Sequence, residues 1–297
     1  MEHLVINTDI CDGCGFCTVD CPMGIVALNN KKKAIHVAEN EEICLYCGHC
    51  VTVCPVQAIE LNPITDESKL SWIKQYGIIP LSLKPGECLK VERNQFPEVK
   101  KLENLIRARR MTRSFLPKLV DHDLIEHIFN DTLCYHPSGH NIRGLNLKIV
   151  EGRDKINELT DLTCDCFKEI IKKKVLHQFD QKVYEKIVVA WEEHGINRIF
   201  RTAQQVAIVH IRSDINDVLT GPSTISLLTY FEILANSMGL GTVYAGYFAA
   251  AASTYEPIQK YLGIPAGNKI TSAMMFGYSA VNYNLIPKRP EIKIAYV

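Results

Sequence analysis

From Glu98 onward the apolar positions recur at helical spacing, with Val99, Leu102, Leu105 and Ile106 on one face. A second helix is predicted where Asp121 stands as N-cap ahead of the stripe Leu124, Ile125, Ile128 and Phe129. Three runs rich in β-branched residues and edged by Gly, Ser or Asn predict strands at 145–150, 206–211 and 270–276. The stretch "STISLLTYFEILANSMGLGT" is apolar nearly all round a helix and stops at Gly239. Such a helix is buried on several sides, at a domain centre or at a dimer interface. Helices dominate and the strands look non-alternating, so the predicted class is α+β.

Residues 63–97 have a different texture. They hold four prolines, scattered charge and no sustained period, which predicts an extended connector with one short helix around 67–76. Trp72, Tyr76 and residues 78–81 are too apolar for a free tether, so the connector is expected to lie packed on a domain surface. The chain therefore divides into a small module (1–62), a linker (63–97) and a larger domain (98–297).

The small module is a repeat. Cys11, Cys14, Cys17 and Cys21-Pro22 recur as Cys44, Cys47, Cys50 and Cys54-Pro55, every position offset by 33. The match extends outward to Ile10 with Ile43, Gly15 with Gly48, Val26 with Ile59 and Leu28 with Leu61, the mark of a duplicated unit.

Composition narrows what those cysteines do. The 297 residues are 47% hydrophobic and 22% charged, a soluble globular balance. Lys+Arg and Asp+Glu both number 33, so global charge gives no reason to expect nucleic acid or a lipid surface. The opening "MEHLVINTDI" lacks a basic segment followed by an apolar one, and no run of eighteen apolar residues is found. The expected location is the cytoplasm, where disulfides are rare. Metal or redox chemistry is the better reading of the thiols.

Zinc is the natural rival, since paired C-x2-C motifs often form zinc ribbons. A zinc site gives no reason for a third cysteine three residues on, nor for a fourth followed by proline. The run C-x2-C-x2-C-x3-C-P resembles the bacterial two-cluster ferredoxin pattern, in which the fourth cysteine ligates the other cluster. That resemblance implies two [4Fe-4S] clusters, one on Cys11, Cys14, Cys17 and Cys54 and the other on Cys44, Cys47, Cys50 and Cys21.

In the larger domain, Arg107, Arg109, Arg110 and Arg113 concentrate positive charge where a helix ends. Arginine offers planar bidentate donors suited to a phosphomonoester. "HPSGHN" supplies a tight turn with a polar amide, "GLGTVYAGYF" a small-residue loop open to a flat ligand, and "PKRP" a late cationic pair. In this order the segments resemble the FMN-dependent nitroreductase family over residues 102–297. The resemblance implies that Arg109, Arg110, Met111 and Arg113 hold the FMN phosphate, with Met111 standing where the family has serine. Pro137, Ser138, Gly139 and Asn141 match its turn, Asn141 bonding the flavin ring. Tyr244, Ala245 and Gly246 fall where a backbone N–H meets the flavin N5, and Lys288 and Arg289 match the late phosphate cations. A homodimer with FMN at its interface is implied as well.

Clusters pass electrons singly, whereas a flavin accepts them singly and delivers pairs. The expected enzyme is thus an FMN-dependent nitroreductase-type oxidoreductase that passes electrons from two clusters to FMN. It would reduce nitroaromatics, quinones or similar electron-poor acceptors. NAD(P)H and an external ferredoxin are both open as donors. An ene-reductase, a reductive dehalogenase or an electron-transfer module for a partner protein would fit the same scaffold. No dedicated catalytic side chain is expected.

Overall fold

A computed structural model describes residues 2–173 and 178–297. The duplication is visible in the backbone. Strand β1 (Leu4–Ile6), helix α1 (Phe16–Val19) and strands β2 (Val26–Leu28) and β3 (Ala34–His36) precede helix α2 (His49–Thr52) and strand β4 (Ile59–Leu61). The two helices, and β2 with β4, keep the same offset of 33. β1 pairs antiparallel with β4 and β2 with β3, so the first and last strands close the module.

The connector joins this module's core. Its short helix, expected around 67–76, is α3 (Ser71–Tyr76), preceded by a 3-10 turn at Glu67–Lys69. Ile64, Ile73 and Ile78 are buried with Leu4, Val26 and Ile59. Leu61 and Leu83 exchange backbone bonds at 3.0 and 2.8 Å, which pins the chain where it leaves the module.

The larger domain opens with α4 (Val99–Ala108) and continues through α5 (His122–Glu126), a π-helical turn at His127–Thr132, and β5 (Asn146–Glu151). Helices α6 (Arg153–Lys173) and α7 (Gln178–Glu192) lead to β6 (Gln205–Arg212). Then come α8 (Asp217–Ser237), β7 (Leu240–Tyr244), α9 (Gly246–Ala252), α10 (Glu256–Tyr261) and β8 (Asn268–Tyr278). The strands form an antiparallel sheet in the order β5-β6-β8-β7.

Alternation on β6 divides the core. Val206 and Ile208 pack toward α6, α9 and α10, whereas Ala207 and Val209 pack toward α5 and α8. The three predicted strands and the buried helix are present. β7 corrects the reading of 239–248 as a loop: its glycines hide an edge strand, and Gly241 is required because a Cβ there would meet Thr112 Cγ2 and Oγ1 at 2.6 Å.

Among the described residues α8 alone is long and apolar enough to cross a bilayer. It is nevertheless a core helix, burying Leu227, Leu228 and Phe231 against the sheet. α4 is amphipathic as expected, but its apolar face is bare: Val99, Leu102 and Ile106 are 72%, 41% and 50% exposed.

Candidate functional site

Two hollows in the small module collect its eight repeat cysteines. Cys11, Cys14, Cys17 and Cys54 line one, and Cys21, Cys44, Cys47 and Cys50 line the other. Gly15 and Gly48, at φ 78° and 74°, open α1 and α2 from left-handed backbone, so each loop curls around its own hollow. The helix then carries the chain to the fourth cysteine, beside the other loop. Backbone N–H groups of Ile25 and Ala58 donate to the sulfurs of Cys21 and Cys54 at 3.4 and 3.3 Å. Those of Ala34 and Tyr46 reach Cys11 and Cys44 at 3.5 Å.

Among the described residues no three His, Cys, Asp or Glu side chains converge on a point as one metal ion requires. Tetrahedral zinc needs its ligands about 2.0–2.3 Å from one centre. Thiols spread around a hollow suit a larger, polynuclear group, and N–H donors to sulfur are among the features that tune one. Burial pushes the Cys44 and Cys50 thiols up to about 12, so a metal ligated there would have to displace their protons.

The larger domain offers a different site where β7 ends. Met111, Arg113, Arg198, Arg201, Tyr244 and Gly246 line a cavity of about 490 Å³. Among the described residues no carboxylate lines its wall. Burial, then the positive charges of Arg113 and Arg198, push the Arg201 guanidinium down, as expected where cations gather without a counter-anion. Met111 is placed by a bridge to Thr242, and Thr112 N–H donates to Thr242 O at 2.9 Å. The Ala245 N–H is already used, donating to Ala273 O at 2.9 Å. Gly246, next along in the same segment, lines the cavity together with Tyr244.

The other sequence-selected residues are distributed around this cavity unevenly. Arg109 donates to Glu232 at 2.8 Å, and Arg110 turns back to the carbonyls of Arg107 and Arg109. Lys288 and Arg289 lie in the exposed tail and line no part of it. The turn of Pro137, Ser138, Gly139 and Asn141 sits apart, with Gly139 N–H donating to Ser223 Oγ at 3.2 Å. Ser223 and Glu232 stand about 13 Å apart along α8 at about 1.5 Å per residue. The turn carries marks of a binding site of its own: Ser138 Oγ and His140 Nδ1 are buried without partners. Asn141 lines a second cavity of about 720 Å³, shared with Tyr46 and Cys47 of the small module.

The nitroreductase family model matches residues 106–278, more than half of the chain, and a 4Fe-4S dicluster domain model matches residues 10–58. The chain belongs to the nitroreductase family. It is an oxidoreductase of that type with an N-terminal iron–sulfur domain. The fold of this nitroreductase is similar to a nitroreductase with bound FMN from Bacteroides fragilis NCTC 9343, at 18% identity and TM-score 0.54, covering 66% of this chain and 99% of that one. It is also similar to a nitroreductase with bound FMN from Desulfitobacterium hafniense DCB-2, at 21% identity and TM-score 0.51, covering 66% and 98%. No curated protein sequence matches the chain.

Arg198 and Arg201 are charged residues of the nitroreductase cavity that sequence reasoning missed. They leave a tight turn after α7 in which Asn197 Oδ1 accepts from the N–H groups of Ile199 and Phe200 at 3.1 and 2.7 Å. Arg201 is itself left-handed, at φ 56°, with its carbonyl held by Arg153 at 2.7 Å. The signal available was "GINRIFR", a glycine turn followed by two arginines three apart.

Proposed function

We propose that this nitroreductase is an iron–sulfur flavoprotein that converts one-electron delivery into two-electron reduction of a small acceptor. The observation that carries the reading is the coexistence of two four-thiol hollows with an arginine-lined, carboxylate-free cavity on one chain. The two thiol sets hold two [4Fe-4S] clusters. Arg113, Arg198 and Arg201 bind the FMN phosphate, and Glu232 presents Arg109 toward the same end. Tyr244 and Gly246 would help to hold the rest of the FMN, and the turn at 137–141 would offer Ser138, Asn141 and backbone donors to it. When bound, FMN supplies a carrier that accepts electrons singly and delivers them in pairs.

The turn and the arginine cavity occupy opposite ends of α8, and the apolar faces of α4 and the tail are exposed in one protomer. A homodimer that covers those faces and completes the site from two copies fits both facts. The acceptor is a planar, electron-poor molecule, a nitroaromatic or quinone, and protons come from water. The location is cytoplasmic, in keeping with twelve free thiols.

The test is anaerobic purification followed by assay of iron, acid-labile sulfide and FMN. About eight iron atoms and one FMN per chain are expected. The dithionite-reduced protein should then be reoxidised by a quinone or nitroaromatic. A colourless preparation containing zinc would overturn the reading.

A further inference from the structure

The two cysteine hollows are not equivalent toward the flavin domain. Both hollows are walled by residues of the small module, and what lies beside each differs. At the hollow of Cys11, Cys14, Cys17 and Cys54, Cys14 is exposed, beside Ile10, Phe16 and Val19 at 48%, 55% and 88% exposure. The hollow of Cys21, Cys44, Cys47 and Cys50 instead abuts the larger domain. Leu45 O, one residue from Cys44, accepts from Asn141 Nδ2 at 2.8 Å. Cys47 itself lines the 720 Å³ cavity to which Asn141 and His136 also contribute.

The connector locks this contact. Trp72 and Tyr76 of α3 pack on His140 with ring centroids 5.7 and 5.2 Å apart. Arg143 N–H donates to Gly77 O at 3.3 Å, and Arg212 donates to Lys74 O at 2.6 Å. His140 and Asn141 are both left-handed, at φ 51° and 53°. Side chains with a Cβ resist that conformation, and it persists where the surroundings over-determine it. Asn141 spends one amide N–H on Leu45 O.

We infer that the cluster held by Cys21, Cys44, Cys47 and Cys50 is the inner one, which hands electrons to the flavin, and that Asn141 is the positioning residue that fixes their separation. The inference rests on the iron–sulfur flavoprotein reading above. Each transfer oxidises the inner cluster by one electron and reduces the flavin by one. Two transfers, with protons from water, complete the flavin's reduction. The outer cluster, fed by a low-potential one-electron donor, re-reduces the inner one after each.

The experiment mixes whole protein with dithionite, follows cluster and flavin absorbance by stopped flow, and assigns the reduced cluster by freeze-quench EPR. In Cys14→Ser the inner cluster and the flavin should still bleach in step. In Cys47→Ser the outer cluster should bleach while the flavin lags by about tenfold, the measure of one decade in rate. Asn141→Ala keeps all eight thiols and should slow flavin bleaching about tenfold per FMN retained, with cluster bleaching unchanged. A merely structural role for Asn141 would not separate those two phases. The reverse pattern, with flavin in step with the outer cluster in Cys47→Ser, overturns the inference and leaves the functional reading standing. Wild-type protein whose clusters reduce while FMN stays oxidised refutes the functional reading itself.

Discussion

The guanidinium of Arg109 donates to the carboxylate of Glu232 at 2.8 Å, and Glu232 lies on α8 with only 8% of its side chain exposed. Thr242 Oγ1 also reaches that carboxylate, at 3.4 Å. A buried charge is tolerable only while paired, so removing one partner costs more than removing both. Arg109→Ala should destabilise the domain by about 3 kcal/mol. Arg109→Met with Glu232→Leu should recover most of that loss. Denaturant unfolding of the three variants checks the sign of the coupling.

Among the described residues Arg201 shares the cavity with Arg113 and Arg198 and faces no anion. A charged hydrogen bond to phosphate contributes about 1.5–3 kcal/mol. Arg201→Ala should therefore weaken FMN binding by roughly tenfold to a hundredfold. The parent's FMN affinity should fall with added salt more steeply than the variant's. Flavin fluorescence during dialysis at two ionic strengths measures both.

Two histidines of the larger domain make it sensitive to acid. Burial lowers the pKa of His136, which donates its Nδ1 proton to Leu133 O, and of His210, which accepts from Asn268 on Nδ1. Their folded values lie below the ordinary value of 6.5. The unfolded chain thus takes up protons first as pH falls, and ∂ΔG/∂pH of unfolding is positive there. The contribution is fully present above about pH 6.5 and is lost as pH drops through the folded values. Urea unfolding of His210→Gln against the parent, pH by pH, should show a smaller acid loss in the variant.

The bare face of α4 predicts an interface. Leu102→Glu with Ile106→Glu places charge where apolar surface should meet a second copy, and should yield monomers that have lost FMN. Light scattering and flavin content read this directly. A dimer that keeps its flavin would show that α4 faces solvent.

The cysteine module was legible because its chemistry is local: three thiols within seven residues, a fourth before proline, all repeated at a fixed offset. Met111, Arg113, Tyr244 and Gly246, singled out in the sequence, line one cavity. Other residues were not legible. Thr242 and Gly241 read as a loop because glycine hides an edge strand, β7, that pairs with β8. Arg198 and Arg201 join Arg113 only after α6, α7 and the sheet have folded the chain back. The contact of Asn141 with Leu45 spans 96 residues and two domains, and no spacing rule reports such a pairing.

The central claim is that electrons reach the flavin through the clusters. An anaerobic titration of the purified protein with NADH, NADPH and reduced ferredoxin, following flavin and iron–sulfur absorbance together, tests it most directly. The account predicts that reduced ferredoxin bleaches both centres and that nicotinamide alone leaves the flavin oxidised. Stoichiometric bleaching of the flavin by NADH or NADPH, with the clusters following after it, would contradict the account.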